Sequence, residues 1–188
     1  LANYLIKIGV DKGDKIAMCG SNSSRWGIVF ISALTYGAVP VPVLPDFQSD
    51  QIQNIVNHSD AELMFGTQSI YDRLHLKEMP HIKAFFNLED FSLIQSDSAD
   101  LQSAMEKLDS LFTEKYSAGF TPSDVIYSAE KSQDDMAMLN YTSGTSGFSK
   151  GVMIPFRALY NNYFFSISTF PNGNMLSLLP MAHMYGLM

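Results

Sequence analysis

The sequence predicts an α/β fold in which a layered parallel sheet has helices on its flanks. Short apolar runs alternate along the chain with longer segments whose apolar residues recur at helical spacing. Glycines, prolines and hydroxyl residues separate these segments. The hydrophobic residues make up 46% and the aromatic residues 12% of the 188-residue chain, which is enough to build a sizeable core. Strands that alternate with helices form βαβ units, and the strands of such units run parallel.

Each predicted strand is a short apolar run bounded by glycine or polar residues. The first, Lys15–Cys19, lies between Gly13-Asp14 and Gly20 and is typical of a buried strand. The later predicted strands are Val39–Val43, 62–65, 83–87, 136–141, 151–154 and 175–179.

The predicted helices follow the strands. The polar residues 22–24 are candidate N-caps for a helix that runs to about Tyr36 and is stopped by Gly37. The other predicted helices cover 49–58 with Ser49 as cap, 70–76, 101–115 and 156–170. We interpret the aromatic side chains of the last helix as core and the segments 92–100 and 117–135 as connections.

Charge and cysteine content exclude several classes of function. Twelve Lys and Arg residues stand against 19 Asp and Glu residues, a formal net charge of −7. A nucleic-acid partner is therefore not expected, because phosphate backbones need a positive surface. The single cysteine, Cys19, excludes an internal disulfide and a cysteine-based zinc site, and it fits a reducing, cytoplasmic location.

One long uncharged stretch, residues 26–45, needs a separate interpretation. It approaches the roughly 20 apolar residues of a membrane-spanning helix. Gly37 and three prolines interrupt its second half, so we interpret it as a buried helix followed by a strand. No basic segment typical of a signal peptide opens the sequence.

The clearest chemistry lies in the glycine- and hydroxyl-rich loop 141–151, Tyr-Thr-Ser-Gly-Thr-Ser-Gly-Phe-Ser-Lys-Gly. Glycines let successive N–H groups turn toward one point and form an anion-binding nest. The hydroxyls add donors, and Lys150 supplies the only charge of the loop. The pattern predicts a polyphosphate site, while its composition alone fits a flexible linker equally well. It is not a Walker A loop, because Lys150 is followed by Gly151 and a strand-like run.

The order of these residues resembles the phosphate-loop signature of the adenylate-forming (AMP-binding) superfamily. That signature is T-S-G-T-T-G, two variable positions and then K-G; Ser146 stands at the second threonine and Ser149 at a frequent proline. Residues 179–186, Leu-Pro-Met-Ala-His-Met-Tyr-Gly, resemble the next motif of the superfamily, L-P-x-x-H-x-x-G. Residues 13–42 resemble the opening of acyl-CoA synthetases. The likeness is weakest over residues 92–135. Among the members of the superfamily, the sequence most resembles bacterial long-chain fatty-acid–CoA ligases.

The resemblance implies a reaction in two steps. A carboxylic acid, on this likeness a long-chain fatty acid, is activated with ATP to an acyl-adenylate and pyrophosphate, and coenzyme A then displaces AMP. The residues implied to cradle the β- and γ-phosphates are Thr142, Ser143, Gly144, Thr145, Ser146, Gly147 and Lys150. Mg²⁺ would bridge the phosphates, with the Thr142 hydroxyl as the expected protein ligand. His183 is the implied catalytic residue, beside the acyl carboxylate and the adenylate.

Both ends of the sequence look cut, since it begins at Leu1 within a helix-like run and ends at Met188 within an apolar run. We therefore expect residues 1–188 to form part of the large N-terminal domain of such an enzyme, without its C-terminal domain and inactive alone. The expected partners are the acid, ATP and coenzyme A, and a lipid substrate would add peripheral contact with a membrane.

Other functions remain open at this point. A fatty acyl-AMP ligase or an aryl-CoA ligase of the same superfamily would carry the same motifs. A kinase or ATPase could use the loop for ATP but would release ADP. A non-catalytic α/β binding module would make the loop a mere linker. Oligomeric state, acyl chain length and thiol acceptor are not specified by these residues.

Overall fold

A five-stranded sheet forms the centre of the computed structural model, which describes residues 10–124, 132–142, 149–169 and 179–183. Its strands lie in the spatial order β2-β1-β3-β4-β5. They are β1 (Lys15–Cys19), β2 (Val39–Val43), β3 (Ala61–Gly66), β4 (Ala84–Asn87) and β5 (Leu93–Ser96). The first four are parallel and β5 is antiparallel to β4. The predicted α/β class with a mainly parallel sheet is confirmed.

The remaining elements flank this sheet or form a separate hairpin. The helices are α1 (Ser24–Tyr36), α2 (Ser49–Ser59), α3 (Gln68–Tyr71), α4 (Ala99–Glu106), α5 (Leu108–Lys115) and α6 (Phe156–Thr169), with single 3-10 turns at Leu76–Glu78 and Pro122–Asp124. The hairpin consists of β6 (Met136–Thr142) and β7 (Lys150–Pro155), paired antiparallel. Strand β6 lies against β2. No helix within the described ranges is long and apolar enough to cross a membrane.

Helix ends follow local capping chemistry. The Ser23 hydroxyl accepts a hydrogen bond from the Trp26 N–H and starts α1. Gly37 ends that helix in the left-handed region, with φ 98°, which glycine adopts without steric cost. Helix α2 begins after Gln48, not at a Ser49 cap, because the Gln51 side chain accepts from the Gln48 N–H.

Two buried layers cover the two faces of the sheet. On one face Trp26 and Phe30 of α1 share a cluster with Phe65 and Phe86 of the strands. On the other face Ile52 of α2 belongs to a cluster with strand residues such as Val41, Met64 and Phe85. The strands alternate between the two layers, so β2 and β3 are buried on both sides, as parallel strands between helices are.

Three segment predictions are wrong. The predicted connection 92–100 contains β5, a half-buried edge strand that gains its order by pairing with β4. The predicted helix 101–115 breaks at Lys107, where φ −101° and ψ 3° leave the helical region. The predicted helix 70–76 ends earlier, since the His75 N–H donates to the Gln53 side chain at 3.0 Å instead of a helical carbonyl.

The region after residue 135 also departs from expectation. The strand prediction for 136–141 and 151–154 is confirmed, but the two strands form an antiparallel hairpin outside the five-stranded sheet. The aromatic side chains of α6 are not core in the described structure: Tyr163, for example, is 61% exposed. Helix α6 packs against β6 and β7, and its Ala158 and Leu159 contact the buried cluster that includes Trp26. The predicted strand 175–179 lies outside the described residues except for Leu179.

Candidate functional site

Thr142 and Lys150 face each other across the β6–β7 hairpin. The register pairs Thr142 with Lys150 and Tyr141 with Gly151. Side chains of directly opposed residues in an antiparallel pair project from the same face, and both of these side chains are exposed. The hairpin therefore places the predicted hydroxyl ligand opposite the only cation of the loop, at the point where the loop leaves and re-enters the strands.

The other predicted phosphate-binding residues lie outside the described residues. These are Ser143, Gly144, Thr145, Ser146 and Gly147. The paired strand ends at Thr142 and Lys150 nevertheless fix where this connection starts and finishes. A loop closed by paired strands keeps its two ends within one residue pair of each other, which a linker between separate units does not require.

Tyr141 attaches the hairpin to α2. Its hydroxyl oxygen is hydrogen-bonded to Nδ1 of His58 at 2.7 Å, and the two rings meet edge to face. The tyrosine is 7% exposed. Burial, with a smaller contribution from the nearby Asp60 carboxylate, raises the pKa of Tyr141 to about 12. The phenol therefore keeps its proton at ordinary pH, on the residue that directly precedes Thr142.

Gly151 makes room for that tyrosine. A Cβ at Gly151 would lie 3.2 Å from Cζ of Tyr141 and 3.2 Å from Cδ1 of Leu139. The Tyr141 ring thus lies over the Gly151 backbone, and any larger residue would push against a ring that His58 holds in place. The glycine that follows Lys150 is explained by this close approach, independently of any ligand.

His183 lies on a short turn that packs against the start of α1. Its N–H donates to the Pro180 carbonyl at 2.8 Å, which closes the turn. Ala182 is 3% exposed and belongs to the same buried cluster as Trp26. His183 itself is exposed. The turn therefore buries its alanine and presents its histidine on the surface of the described structure.

Asn22 holds this turn from the end of β1. Its Nδ2 donates to the Leu179 carbonyl at 2.7 Å, and its Oδ1 accepts from the Met181 N–H at 2.6 Å. Sequence analysis identified residue 22 only as a candidate cap and missed this role. No local pattern could have shown it, since the partners are 157 and 159 residues away along the chain.

The two motif segments are held by different elements of the fold. His58 lies in the last turn of α2, shortly before Ala61 opens β3 opposite Lys15, the first residue of β1. Asn22 follows Cys19, where β1 ends. The described contacts thus bring Thr142 and Lys150 together. The His183 turn is bonded separately, to Asn22 near the carboxyl end of β1. In open α/β sheets ligands bind at that carboxyl end.

Neither end carries a ready-made metal site. Within the parts of the chain that the structure describes, no group of three or more His, Cys, Asp or Glu residues is close enough to hold an ion. Mg²⁺ usually keeps several waters and binds through one or two protein oxygens plus substrate phosphates. The exposed Thr142 hydroxyl fits this mode of binding, as a single protein ligand to an ion that is carried by the phosphates.

The family match and the curated relatives both relate this chain to AMP-binding enzymes and CoA ligases. The whole chain, residues 1–188, matches the family model described as AMP-binding enzyme. The "4-coumarate--CoA ligase-like 6" protein of Arabidopsis thaliana is 28% identical over 188 residues, which cover 96% of this chain and 31% of the relative. The peroxisomal long chain acyl-CoA synthetase 6 of the same plant is 28% identical over 190 residues, covering 98% and 26%. The chain spans about a third or less of the length of these relatives.

A solved structure shares the fold over nearly the whole chain. The long-chain-fatty-acid-CoA ligase of Archaeoglobus fulgidus superposes with a TM-score of 0.69 over 99% of this chain and 34% of its own. The sequence identity is 20%, so the likeness concerns the fold alone.

Proposed function

Since this chain belongs to the AMP-binding enzyme family, we propose that it forms part of the large N-terminal domain of an ATP-dependent acid–thiol ligase. Its extent supports the domain assignment, because it spans about a third of relatives whose names are those of CoA ligases and acyl-CoA synthetases. The chain would supply the phosphate loop and the His183 turn, and the complete protein would be needed for turnover.

The proposed reaction has two steps. The carboxylate oxygen of the acid attacks the α-phosphorus of ATP, the bond from that phosphorus to the β-bridging oxygen breaks, and pyrophosphate leaves. The thiol sulfur of coenzyme A then attacks the acyl carbon, loses its proton, and AMP leaves with the mixed-anhydride oxygen. Phosphoryl and nucleotidyl transfers of this kind depend mainly on positioning and on stabilising developing negative charge.

The paired strand ends at Thr142 and Lys150 are the observation that carries this proposal. A single ammonium group on an exposed strand end, in a protein of net charge −7, gives a local positive site for the departing pyrophosphate. Residues Ser143 to Gly147 would add backbone N–H and hydroxyl donors to the same phosphates. A magnesium ion carried by the nucleotide would neutralise phosphate charge, and the Thr142 hydroxyl would be one of its ligands.

His183 is proposed to contact the acyl carboxylate and the adenylate. It is exposed on a turn whose backbone is fixed by Asn22 and by burial of Ala182. An imidazole in that position can donate a hydrogen bond to a developing negative charge on oxygen, which is the role that preorganised donors play in transfer reactions.

The acid is proposed to be a long-chain fatty acid, which a lipid surface would deliver. The curated relatives also support a second candidate, an aryl acid, since the 4-coumarate–CoA ligase-like protein is as similar, at 28% identity, as the long-chain acyl-CoA synthetase.

We propose a cytoplasmic location from the single reduced, buried Cys19. The name of the second relative makes the peroxisome the alternative.

ATP turnover by the complete protein tests the proposal. Palmitate and 4-coumarate would be supplied in separate reactions, with and without coenzyme A, while AMP and ADP are resolved chromatographically. Formation of AMP and pyrophosphate that depends on the acid would support the ligase, and the preferred acid would decide between the two candidates. Formation of ADP, or turnover that ignores the acid, would contradict the proposal and favour a kinase or ATPase.

A further inference from the structure

We propose that Asn22 is a positioning residue that sets the orientation of His183 for acyl activation. The inference rests on the proposed function and deepens it, because it concerns a residue outside both recognised motifs. Asn22 lies at the end of β1, whereas His183 lies 161 positions further along the chain. The contacts of the Asn22 amide are what connect the two.

The Asn22 side chain acts on the His183 segment as a neighbouring strand would. Its amide donates to the Leu179 carbonyl at 2.7 Å and accepts from the Met181 N–H at 2.6 Å. A planar amide that engages the backbone on both sides of one residue fixes the position and the rotation of that backbone together. Since Met181 and His183 share the turn closed by the Pro180 carbonyl, the direction in which the His183 side chain leaves the backbone depends on this amide.

Asn22 lies between a buried strand and a capped helix start. It follows β1, whose last residue, Cys19, is completely buried. The intervening Gly20 lies so close to Leu88 that an added Cβ would be 2.5 Å from its Cδ2. The next residue, Ser23, caps α1. The asparagine is therefore fixed between a central strand and a helix start, which is the property a positioning residue needs.

The exposure of Asn22 separates this role from a purely structural one. The side chain is on the surface, so its removal leaves no buried polar group unpaired and should not unfold the protein. Ala182 keeps the turn in place through its own burial. Loss of Asn22 should therefore leave the turn attached but less precisely oriented.

Asn57, which is half-buried, offers a control for the loss of an asparagine tether. Its Nδ2 also donates to a distant backbone carbonyl, that of Glu78, at 2.7 Å. That contact ties α2 to the 3-10 turn Leu76–Glu78 and involves neither the loop nor the His183 turn. An asparagine-to-alanine change at this position removes a similar tether without touching the proposed site.

The test uses the complete protein and acid-dependent exchange of pyrophosphate into ATP, with palmitate and 4-coumarate each tried as the acid and the preferred one used for the variants. We expect Asn22→Ala to lower kcat on the order of fivefold to tenfold while the KM for ATP changes less than about twofold. In a His183→Ala background the same change should cost less than about twofold, because the residue through which it acts is gone. Asn57→Ala should match the wild type.

Backbone amide exchange gives a second readout that needs no turnover. The Met181 N–H should exchange faster in Asn22→Ala than in the wild type or in Asn57→Ala. Activity of Asn22→Ala equal to that of Asn57→Ala, or equal losses with and without His183, would overturn the inference and leave the proposed function standing. Absence of any acid-dependent exchange by the wild type would overturn the proposed function, and unaltered Met181 exchange would then overturn the Asn22 contact as well.

Discussion

The two segments that carry the proposed chemistry are held in different ways. The ends of the phosphate loop are fixed by backbone pairing between β6 and β7 and by the Tyr141 ring, which is buried over Gly151 and bonded to His58. Among the described contacts, the His183 turn is held by the exposed Asn22 amide, by burial of Ala182 and by packing of Met181 against the same cluster.

This difference indicates what each segment tolerates. A strand pair distributes its hold over many backbone hydrogen bonds, so a surface substitution in the hairpin should alter ligand binding and spare the fold. The His183 turn is held through fewer hydrogen bonds, so its orientation should depend more on the Asn22 amide. Stability changes should therefore report on the interior of the hairpin, and activity changes on the exposed groups of both segments.

The largest effect is expected for the exposed cation of the hairpin. Lys150→Ala in the complete protein should lower kcat/KM for ATP by about 100-fold or more, because a charged donor to transferring phosphate is lost. The melting temperature should hardly change, since the Lys150 side chain is exposed. Steady-state kinetics at several ATP concentrations, with a thermal melt, measure both quantities.

Lys107→Ala is the control for that change. Lys107 is also exposed, and it lies between α4 and α5, beside β5 at the opposite edge of the sheet from β2, on which the hairpin packs. It removes the same charge from the whole molecule, so it corrects for any general effect on a protein of net charge −7. Equal losses for the two lysine variants would show that the loop cation has no special part in ATP use.

The second expected effect is on stability and concerns two glycines. Gly151→Ala should lower the free energy of unfolding by about 1–3 kcal/mol, because its Cβ would press on Tyr141 and Leu139 at 3.2 Å. Gly27→Ala, beside the His183 turn, should be neutral or stabilising by up to about 1 kcal/mol. Its Cβ would meet Met181 at an ordinary 3.7 Å, and alanine favours the α1 helix.

Chemical denaturation of the two variants measures this contrast. A destabilised Gly27→Ala would mean that the turn is packed as tightly as the hairpin. An unchanged Gly151→Ala would mean that the Tyr141 ring is free to move aside. Either result would remove the distinction between the two segments.

The sequence predicted the parts of the molecule whose causes are local. Lys15–Cys19 and Val39–Val43 are strands because apolar runs end at glycine or polar residues, and α1 stops at Gly37 because only glycine adopts that φ easily. The edge strand Leu93–Ser96 could not be predicted, since its partner β4 supplies the order that its own composition lacks.

In the candidate site too, some residues could be identified from local sequence and others could not. Thr142, Lys150 and His183 were identified through motif resemblance, and their roles remain proposals. The groups that hold them, His58, Asn22 and Ala182, form contacts across the fold that no local pattern encodes. Sequence analysis had assigned no partner to either His58 or Asn22.

A smaller effect is expected when the hairpin loses only its bond to α2. Tyr141→Phe should cost about 0.5–1.5 kcal/mol of stability, the usual range for one neutral hydrogen bond. His58→Ala should cost a similar amount, and the double variant should cost little more than either single one, because both changes remove the same 2.7 Å contact. Urea midpoints of the four proteins form the cycle. Fully additive costs would show that the contact contributes nothing.

The smallest effect should appear only in alkali. Burial raises the pKa of Tyr141 to about 12 in the folded protein, against about 10 for an unperturbed tyrosine. Below pH 10 both states keep the phenol proton. Between pH 10 and 12 the unfolded chain releases this proton while the folded protein retains it. Deprotonation therefore stabilises the unfolded state, and the free energy of unfolding falls.

Tyr141→Phe lacks this titration, so the stability advantage of the wild type over the variant should shrink as pH rises above 10. Urea midpoints of both proteins from pH 8 to 11 would show the convergence. The buried thiol of Cys19, whose pKa burial also raises to about 12, weakens both proteins alike and cancels in the comparison. Parallel curves for the two proteins would mean that the Tyr141 phenol meets solvent in the folded state, and the hairpin would then be held by backbone pairing alone.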